Sequence, residues 1–283
     1  MNLEIILQII RQRWKHSLLI VAIATIATGG ILFMQTPMFR GTAVFAAANP
    51  NLGDRSNIYR TQFWEQYFYF GSDFDNDRLA AIARSDELLL FIADSFQLKQ
   101  HYKIKVEGER GRYLTDKELK ENITIHKNEF GHIKINVLDK DRFLAAKIAN
   151  AIVYKVNETA IASINEMKSG ILKKLKDDYL VQKDSLRSVD AAIQANAGDS
   201  YLVARKTAIL EELVEKDKLI QQFNTSINDV NALFIIEKAI PHFKKDKPLI
   251  MSSVISAAII SFVFSILFIF LLELKARRKS LGL

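Results

Sequence analysis

No charged residue falls between Leu249 and Leu272, a run of 24 positions. At a rise of about 1.5 Å per residue, a helix of that length crosses the roughly 30 Å hydrocarbon core of a bilayer. A soluble core helix rarely goes so far without charge, so the run is expected to be a membrane span. A shorter partner, Ser17–Met34 (SLLIVAIATIATGGILFM), lies near the start and is also free of charge. Its 18 residues sit at the lower edge of the spanning range. Basic residues precede it, as in a secretory signal, but the apolar run is longer than a usual signal core and no small-x-small cleavage pattern follows. Gln35-Thr36-Pro37-Met38-Phe39-Arg40 reads as the exit from a retained anchor.

Counting Lys and Arg beside the spans predicts their orientation. Arg11, Arg13 and Lys15 precede the first span, and Arg40 alone lies close behind it. That bias holds the N-terminus in the cytoplasm, and Lys275, Arg277, Arg278 and Lys279 agree after the second span. Lys244, Lys245 and Lys247 then fall on the outer side, against the rule. The expected topology is in–out–in, with a loop of about 210 residues outside the bacterial inner (cytoplasmic) membrane. Basic collars of this kind account for the net charge of +7 without a nucleic-acid partner. The absence of cysteine excludes a disulfide framework and a thiolate metal site.

The outer loop divides in two by pattern. Residues 35–158 read as a membrane-proximal α/β domain. Thr42–Ala46 is a strand leaving the membrane, and Asp77–Leu98 is a helix with Leu79, Ile82, Leu89 and Ile92 among its apolar positions. Asn122–Asp139 is a hairpin that sets Ile123 and Ile125 on one strand and Ile133, Ile135 and Val137 on the other. Asp139 or Asp141 is placed to cap the helix that follows. Residues 159–234 carry apolar residues at spacings of three and four: Leu175, Tyr179, Leu186, Val189 and Ile193, then Leu202, Ile209, Leu213, Ile220, Phe223, Ile227, Val230 and Phe234. Gln182, Lys206 and Lys216 interrupt the pattern. It is the seam of a helical hairpin or coiled coil, stopped at Gly198 and restarted by Asp199 or Ser200. Each arm of about 35 residues extends roughly 50 Å. The charged positions off the seam imply no second apolar face that a globular core would cover.

The domain organisation read from these patterns is a cytoplasmic N-terminus at 1–16, a first span at 17–34, the α/β domain at 35–158 and the hairpin at 159–234. A Pro/Lys linker at 235–248, a second span at 249–274 and a cytoplasmic tail at 275–283 complete it. The fold class is an α+β membrane protein, with two transmembrane helices flanking an extracytoplasmic α/β domain that carries a long protruding coiled-coil helical hairpin.

The order of parts carries a resemblance. A spanning helix, a Pro-x-Phe strand, a helix opened by Ser85-Asp86-Glu87-Leu88, a strand pair, Ala145-Ala146-Lys147-Ile148-Ala149-Asn150, a long coiled helix, Lys238-Ala239-Ile240-Pro241, Lys247-Pro248 and a final span follow one another. This resembles the chain-length determinant (Wzz-type) family of polysaccharide co-polymerases along nearly the whole chain. Ala145, Ala146, Ala149 and Asn150 are its most specific motif positions, with the proline-marked approach to the last helix. Two stretches depart from the pattern: only Pro241 and Pro248 precede the last span, and the aromatic block Tyr59–Phe74 has no counterpart.

The resemblance implies a protein that is not an enzyme and has no cofactor. It implies a homo-oligomeric ring that sets the length of an O-antigen, capsule or exopolysaccharide. Partners would be a separate polysaccharide polymerase, the growing lipid-linked glycan and membrane lipids. Some relatives carry a fused kinase domain. No G-x-x-x-x-G-K-[ST] loop occurs here, which leaves a separate cytoplasmic tyrosine kinase as a candidate partner. Two other readings stay open: an inner-membrane adaptor of a transporter-dependent polysaccharide export complex, and a two-span ligand-binding sensor.

Three further features are expectations about sites. Pro241 and Pro248 each remove a backbone donor, so a helical arm must stop short of the bilayer and an extended linker must follow. Lys244, Lys245 and Lys247 in that linker face lipid phosphates, a sugar phosphate or a neighbouring subunit, or simply snorkel at a span's end. Ser253, Ala257, Ser261 and Ser265 form a small-residue stripe on the second span, with Ser17, Thr25 and Gly29 on the first. Such stripes let helices approach closely, here the first helix or the polymerase. No catalytic or metal residue is assigned, since His126 and His132 have no His or Cys neighbours in the sequence and neither H-E-x-x-H nor G-x-S-x-G occurs. Aromatic block 59–74 is expected to pack between domains or subunits.

Overall fold

A computed structural model describes residues 3–49, 70–196, 198–226 and 231–280. The chain divides into two compact units. One holds both terminal helices with residues 139–142 and the linker from His242, and the other spans Gly41–Leu138 and Phe143–Pro241.

In the first unit, α1 (Leu3–Met34) and α8 (Ile250–Ser280) pack along each other. Both are long and apolar enough to cross a membrane, through Ser17–Met34 and Ile250–Leu271. Each turns most of its apolar surface outward, including Leu18, Ile26 and Phe33 on α1 and Ile260, Phe264 and Leu271 on α8. An apolar area of that size left in water is unfavourable, which a lipid surround resolves. The α1 helix begins well before Ser17, so the predicted boundary between residues 16 and 17 is not a break in the chain's structure. Beside these helices, β5 (Lys245–Lys247) pairs antiparallel with the start of β1 (Met38–Ala47), Lys247 opposite Met38 and Lys245 opposite Phe39.

In the second unit, β1 continues as a central strand. The sheet order is β2-β3-β1-β4, formed with β2 (Ile123–Lys127), β3 (Ile133–Asp139) and β4 (Leu233–Glu237). The expected hairpin has Ile123 opposite Val137 and Ile125 opposite Ile135. Its turn is built on Asn128, whose Oδ1 accepts from the amides of Phe130 and His132. The expected helix over 77–98 is two helices, α2 (Asp73–Ala83) and α3 (Asp86–Ser95), because Ser85 caps a new helix by accepting from the Leu88 amide. A one-turn helix α4 (Leu98–His101) and α5 (Gly108–Asn122) follow, and neither was expected from periodicity. Lys120 on α5 ties to Asp116 at 2.6 Å and to Asp86 on α3 at 2.7 Å. Those carboxylates, Asp116 first, hold its ammonium above the ordinary lysine pKa. Phe45, Ile92, Leu98, Leu119, Ile133, Ile135, Ile148 and Ile152 are fully buried and form the core between sheet and helices.

Helix α6 (Arg142–Ala195) is a single helix of 54 residues, about 80 Å long. It runs without a break from the α/β layer into the hairpin, so the predicted division between residues 158 and 159 falls inside it. It returns as α7 (Ser200–Ser226) after Gly198, whose φ of 113° lies in the region that a side chain disfavours. Asp199 caps α7 by accepting from the Tyr201 amide at 2.9 Å. Past residue 158, α6 continues to Ala195, and α7 is described as far as Ser226.

Of the seam residues Val189, Leu213 and Ile220 are buried, and Leu172, one turn before the predicted seam, is buried as well. The residues that interrupt the apolar pattern are partnered across it. Lys216 donates to Gln182, and Lys206 meets Asp190 at 2.7 Å. Off the seam, α7 also carries a short apolar stripe that no core covers. Val203, Leu210 and Val214, spaced i, i+7 and i+11, are 51%, 42% and 56% exposed. The seam also stops short of its predicted end, since Phe234 belongs to β4, packed edge-on against Phe70 at 5.6 Å. Ile227, Val230 and Tyr59 through Tyr69 of the aromatic block lie outside the described residues.

Candidate functional site

The Ala145-Ala146-Lys147-Ile148-Ala149-Asn150 motif forms the first turns of α6 that lie on the sheet. Ala145, Ala146 and Ala149 are buried, and their small size lets the sheet come close. Gly41 on β1 completes that contact: a β-carbon there would fall 2.5 Å from the Ala145 carbonyl oxygen, so only glycine fits. Asn150 does something different. Its Nδ2 donates to the Ala239 carbonyl and its Oδ1 accepts from the Ala239 amide, each at 2.9 Å. A primary amide presents one donor group and one acceptor side by side, which matches the backbone of a single extended residue. Seven residues along the same helix face, Asn157 Oδ1 accepts from the Ala232 amide at 3.0 Å. Two asparagines two turns apart thus hold both ends of β4 against α6. Sequence reasoning singled out Asn150 but missed Asn157 and Gly41.

Edge strand β4 needs such a strap. Phe234, Ile235 and Ile236 are exposed, and only Ala232, Leu233 and Ala239 of this segment are buried in the core. Its one described strand partner is β1, through Phe45–Ile235 and Ala46–Phe234. Polar ties at Ala232 and Ala239 reinforce that packing at both ends.

Of the predicted linker residues, Lys244, Lys245, Lys247 and Pro248 lie in the first unit, and Pro241 closes the second. Lys244, Lys245 and Lys247 are exposed, and their neighbour Asp246 binds Arg40 at 2.6 Å. This ion pair joins the exit of the first span to the approach of the second, and it was not anticipated. Pro241 is exposed and Pro248 half-buried, with the Pro248 carbonyl accepting from the Ile250 amide at the start of α8. Between the two prolines the chain is extended at β5 and irregular elsewhere. In the same unit the Arg142 guanidinium lies 3.7 Å from the ring centroid of Phe243, a contact with no signal in the sequence.

On α8 the stripe of Ser253, Ala257 and Ser261 is half-buried and Ser265 is fully buried. The covered face turns toward α1, where Ser17 is buried and the β-carbon position of Gly29 lies 3.9 Å from Val254. The Ser261 and Ser265 hydroxyls donate to carbonyls of their own helix, at Ala258 and Phe262, and so present no unpaired donor at the contact. His132 sits between the rings of Phe70 and Phe130, at 6.5 and 6.1 Å.

No family model matches the sequence, and no curated protein matches it. Among solved structures the chain is similar to a full-length bacterial polysaccharide co-polymerase at 13% identity, covering 96% of this chain and 97% of that one, with a TM-score of 0.47. It is also similar to a fragment of WzzB, a polysaccharide co-polymerase from Salmonella Typhimurium. That match has 13% identity, covers 75% of this chain and 100% of that chain, and has a TM-score of 0.35. A variant of the Shigella flexneri lipopolysaccharide O-antigen chain-length regulator WzzBSF matches at 13% identity over 74% of this chain, with a TM-score of 0.27. Likeness this distant assigns no activity, partner or site residue to this chain.

Proposed function

We propose that this protein is a non-catalytic scaffold of the bacterial inner membrane that sets the chain length of a surface polysaccharide made by a separate polymerase. In this reading both termini lie in the cytoplasm, and the bulk of the chain stands on the periplasmic side as a ring of identical copies around the growing lipid-linked glycan. The order of sequence motifs supports the reading, and so does the pairing of two outward-facing apolar helices with an α/β layer and a long hairpin.

One observation carries it: a two-helix hairpin that buries its seam yet leaves Val203, Leu210 and Val214 open along α7. A narrow apolar stripe on an otherwise charged helix fits the face of another helix, and a second copy supplies one in register. Such assembly is what a scaffold needs and what a monomeric receptor does not.

Deletion of the gene with gel analysis of surface polysaccharide tests the function. Polymer that persists without a preferred length is expected, and unchanged polymer sinks the proposal. Leu210→Lys with Val214→Lys tests the assembly. These positions are exposed, so the variant should fold, yet it should run as a smaller particle in detergent. A particle of unchanged size rejects the hairpin as the contact.

A further inference from the structure

The loop at residues 139–142 and the linker from His242 meet beside the two apolar helices, within one compact unit. Arg142 and Phe243 make the contact, and Phe243 is otherwise 84% exposed. That ring lies seven residues before α8 begins and, apart from the Arg142 contact, is largely open. In these segments and at Arg40 the charge is one-sided. Arg40, Lys140, Arg142, Lys244, Lys245 and Lys247 stand against Asp139, Asp141 and Asp246. Asp139 is buried and Asp246 is tied to Arg40. Lys140, Lys244, Lys245 and Lys247 are exposed, and among the described residues none of them makes an ion pair.

Four exposed ammonium groups without an ion pair, in the same unit as an exposed ring and two helices of membrane-spanning length, match the layered chemistry of an anionic bilayer surface. Phosphates lie above and acyl chains begin just below. We propose that Lys140, Lys244, Lys245 and Lys247 bind the phosphates of anionic phospholipid headgroups, while Phe243, held by Arg142, enters the acyl boundary beneath them. This rests on the reading that α1 and α8 span a membrane. It gives the lysines that oppose the positive-inside pattern a ligand on their own side. It also fixes the height of the linker above the bilayer, through β5 and the Arg40–Asp246 pair.

The test uses the full chain in a neutral detergent. Native mass spectrometry compares retention of phosphatidylglycerol and phosphatidylcholine. Each lysine near an anionic surface contributes about fivefold. Replacing Lys244, Lys245 and Lys247 together with glutamine is therefore expected to cut the preference for phosphatidylglycerol by at least about tenfold. The hairpin control Lys173→Gln, Lys174→Gln, Lys176→Gln removes the same charge from exposed positions and should keep the preference. Phe243→Ser should weaken retention of both lipids. Equal losses in the linker and hairpin variants would overturn the proposal, as would full competition by millimolar inorganic phosphate. Wild-type protein released from membranes by alkaline carbonate sinks the two-span reading and this proposal with it. Wild-type protein that needs detergent yet shows no lipid preference sinks this proposal alone.

Discussion

Replacing Asn150 with alanine removes both hydrogen bonds to Ala239 and leaves that residue's amide and carbonyl facing a methyl group. Ala239 is 6% exposed, so water does not readily take over. A buried polar group left unpaired costs about 1–3 kcal/mol, and two such groups on one residue share part of the relaxation, giving about 2–4 kcal/mol. The strand between the asparagines has mainly its ladder with β1 left to hold it, so the cost falls on local opening before global unfolding. Hydrogen exchange of the full chain in detergent reads this directly. Amides at residues 232–239 should exchange about 30- to 1,000-fold faster, since about 1.4 kcal/mol is a factor of ten. Asn150→Asp separates geometry from bulk. It keeps an acceptor for the Ala239 amide but sets a carboxylate against the Ala239 carbonyl, so it should open the strand as far as alanine does. Asn157→Ala loses one bond and should cost about 1–2 kcal/mol. The double variant should cost less than the sum, because a strand released at one end gains little from a tie at the other. Unchanged exchange at residues 232–239 in Asn150→Ala would refute the strap.

Gly41→Ala places a β-carbon on the Ala145 carbonyl and should cost about 1–3 kcal/mol in chemical denaturation, with the β1 amides losing protection. Arg40→Ala or Asp246→Ala should cost at most about 1 kcal/mol, because both partners are partly exposed, and a double-mutant cycle in rising salt should shrink that value further. Lys120→Gln should also cost below about 1 kcal/mol, its ammonium being partly in water. The raised pKa means that this contribution is intact below lysine's ordinary 10.5 and is lost as pH climbs through the higher folded value, so wild type and variant should converge in stability at strongly alkaline pH. Ala257→Leu with Ser261→Leu pushes α8 off α1 and should shift the polymer length distribution at normal protein abundance, which a gel of surface polysaccharide measures.

Local periodicity made much of the fold legible. The β2–β3 hairpin and the seam from Leu175 to Phe223 announce themselves because neighbouring residues repeat a spacing that only one geometry serves. The same rule misled at Phe234, which falls four residues after Val230 and so continues the seam on paper. Leu233-Phe234-Ile235-Ile236 is a short apolar run, and periodicity cannot separate strand from helix in such a run. The deciding fact is distant: β1 offers an open edge almost 200 residues earlier in the chain. Helix α5 escaped because GERGRYLTDKELKEN buries only Gly111, Thr115 and Leu119, too few apolar positions to mark a face.

The site had a trace that pattern reading passes over. Along α6 the face that packs on the sheet runs through Ala146, Ala149, Val153, Val156 and Ala160, all buried, with Asn150 and Asn157 set beside it seven residues apart. A lone asparagine on an apolar face is often a local accident. Two of them at a two-turn spacing, about 10 Å apart along the helix, require two polar partners, and Ala232 and Ala239 supply them from just outside the two ends of β4. That inference rests on the demand that polar groups shielded from water be satisfied. What it cannot name from sequence is the partner, because Ala232 and Ala239 offer their backbone and not their side chains. The motif and the strap are therefore one device seen from two sides: small residues bring α6 down to the sheet, and the asparagines, once there, can reach only the strand that returns along it.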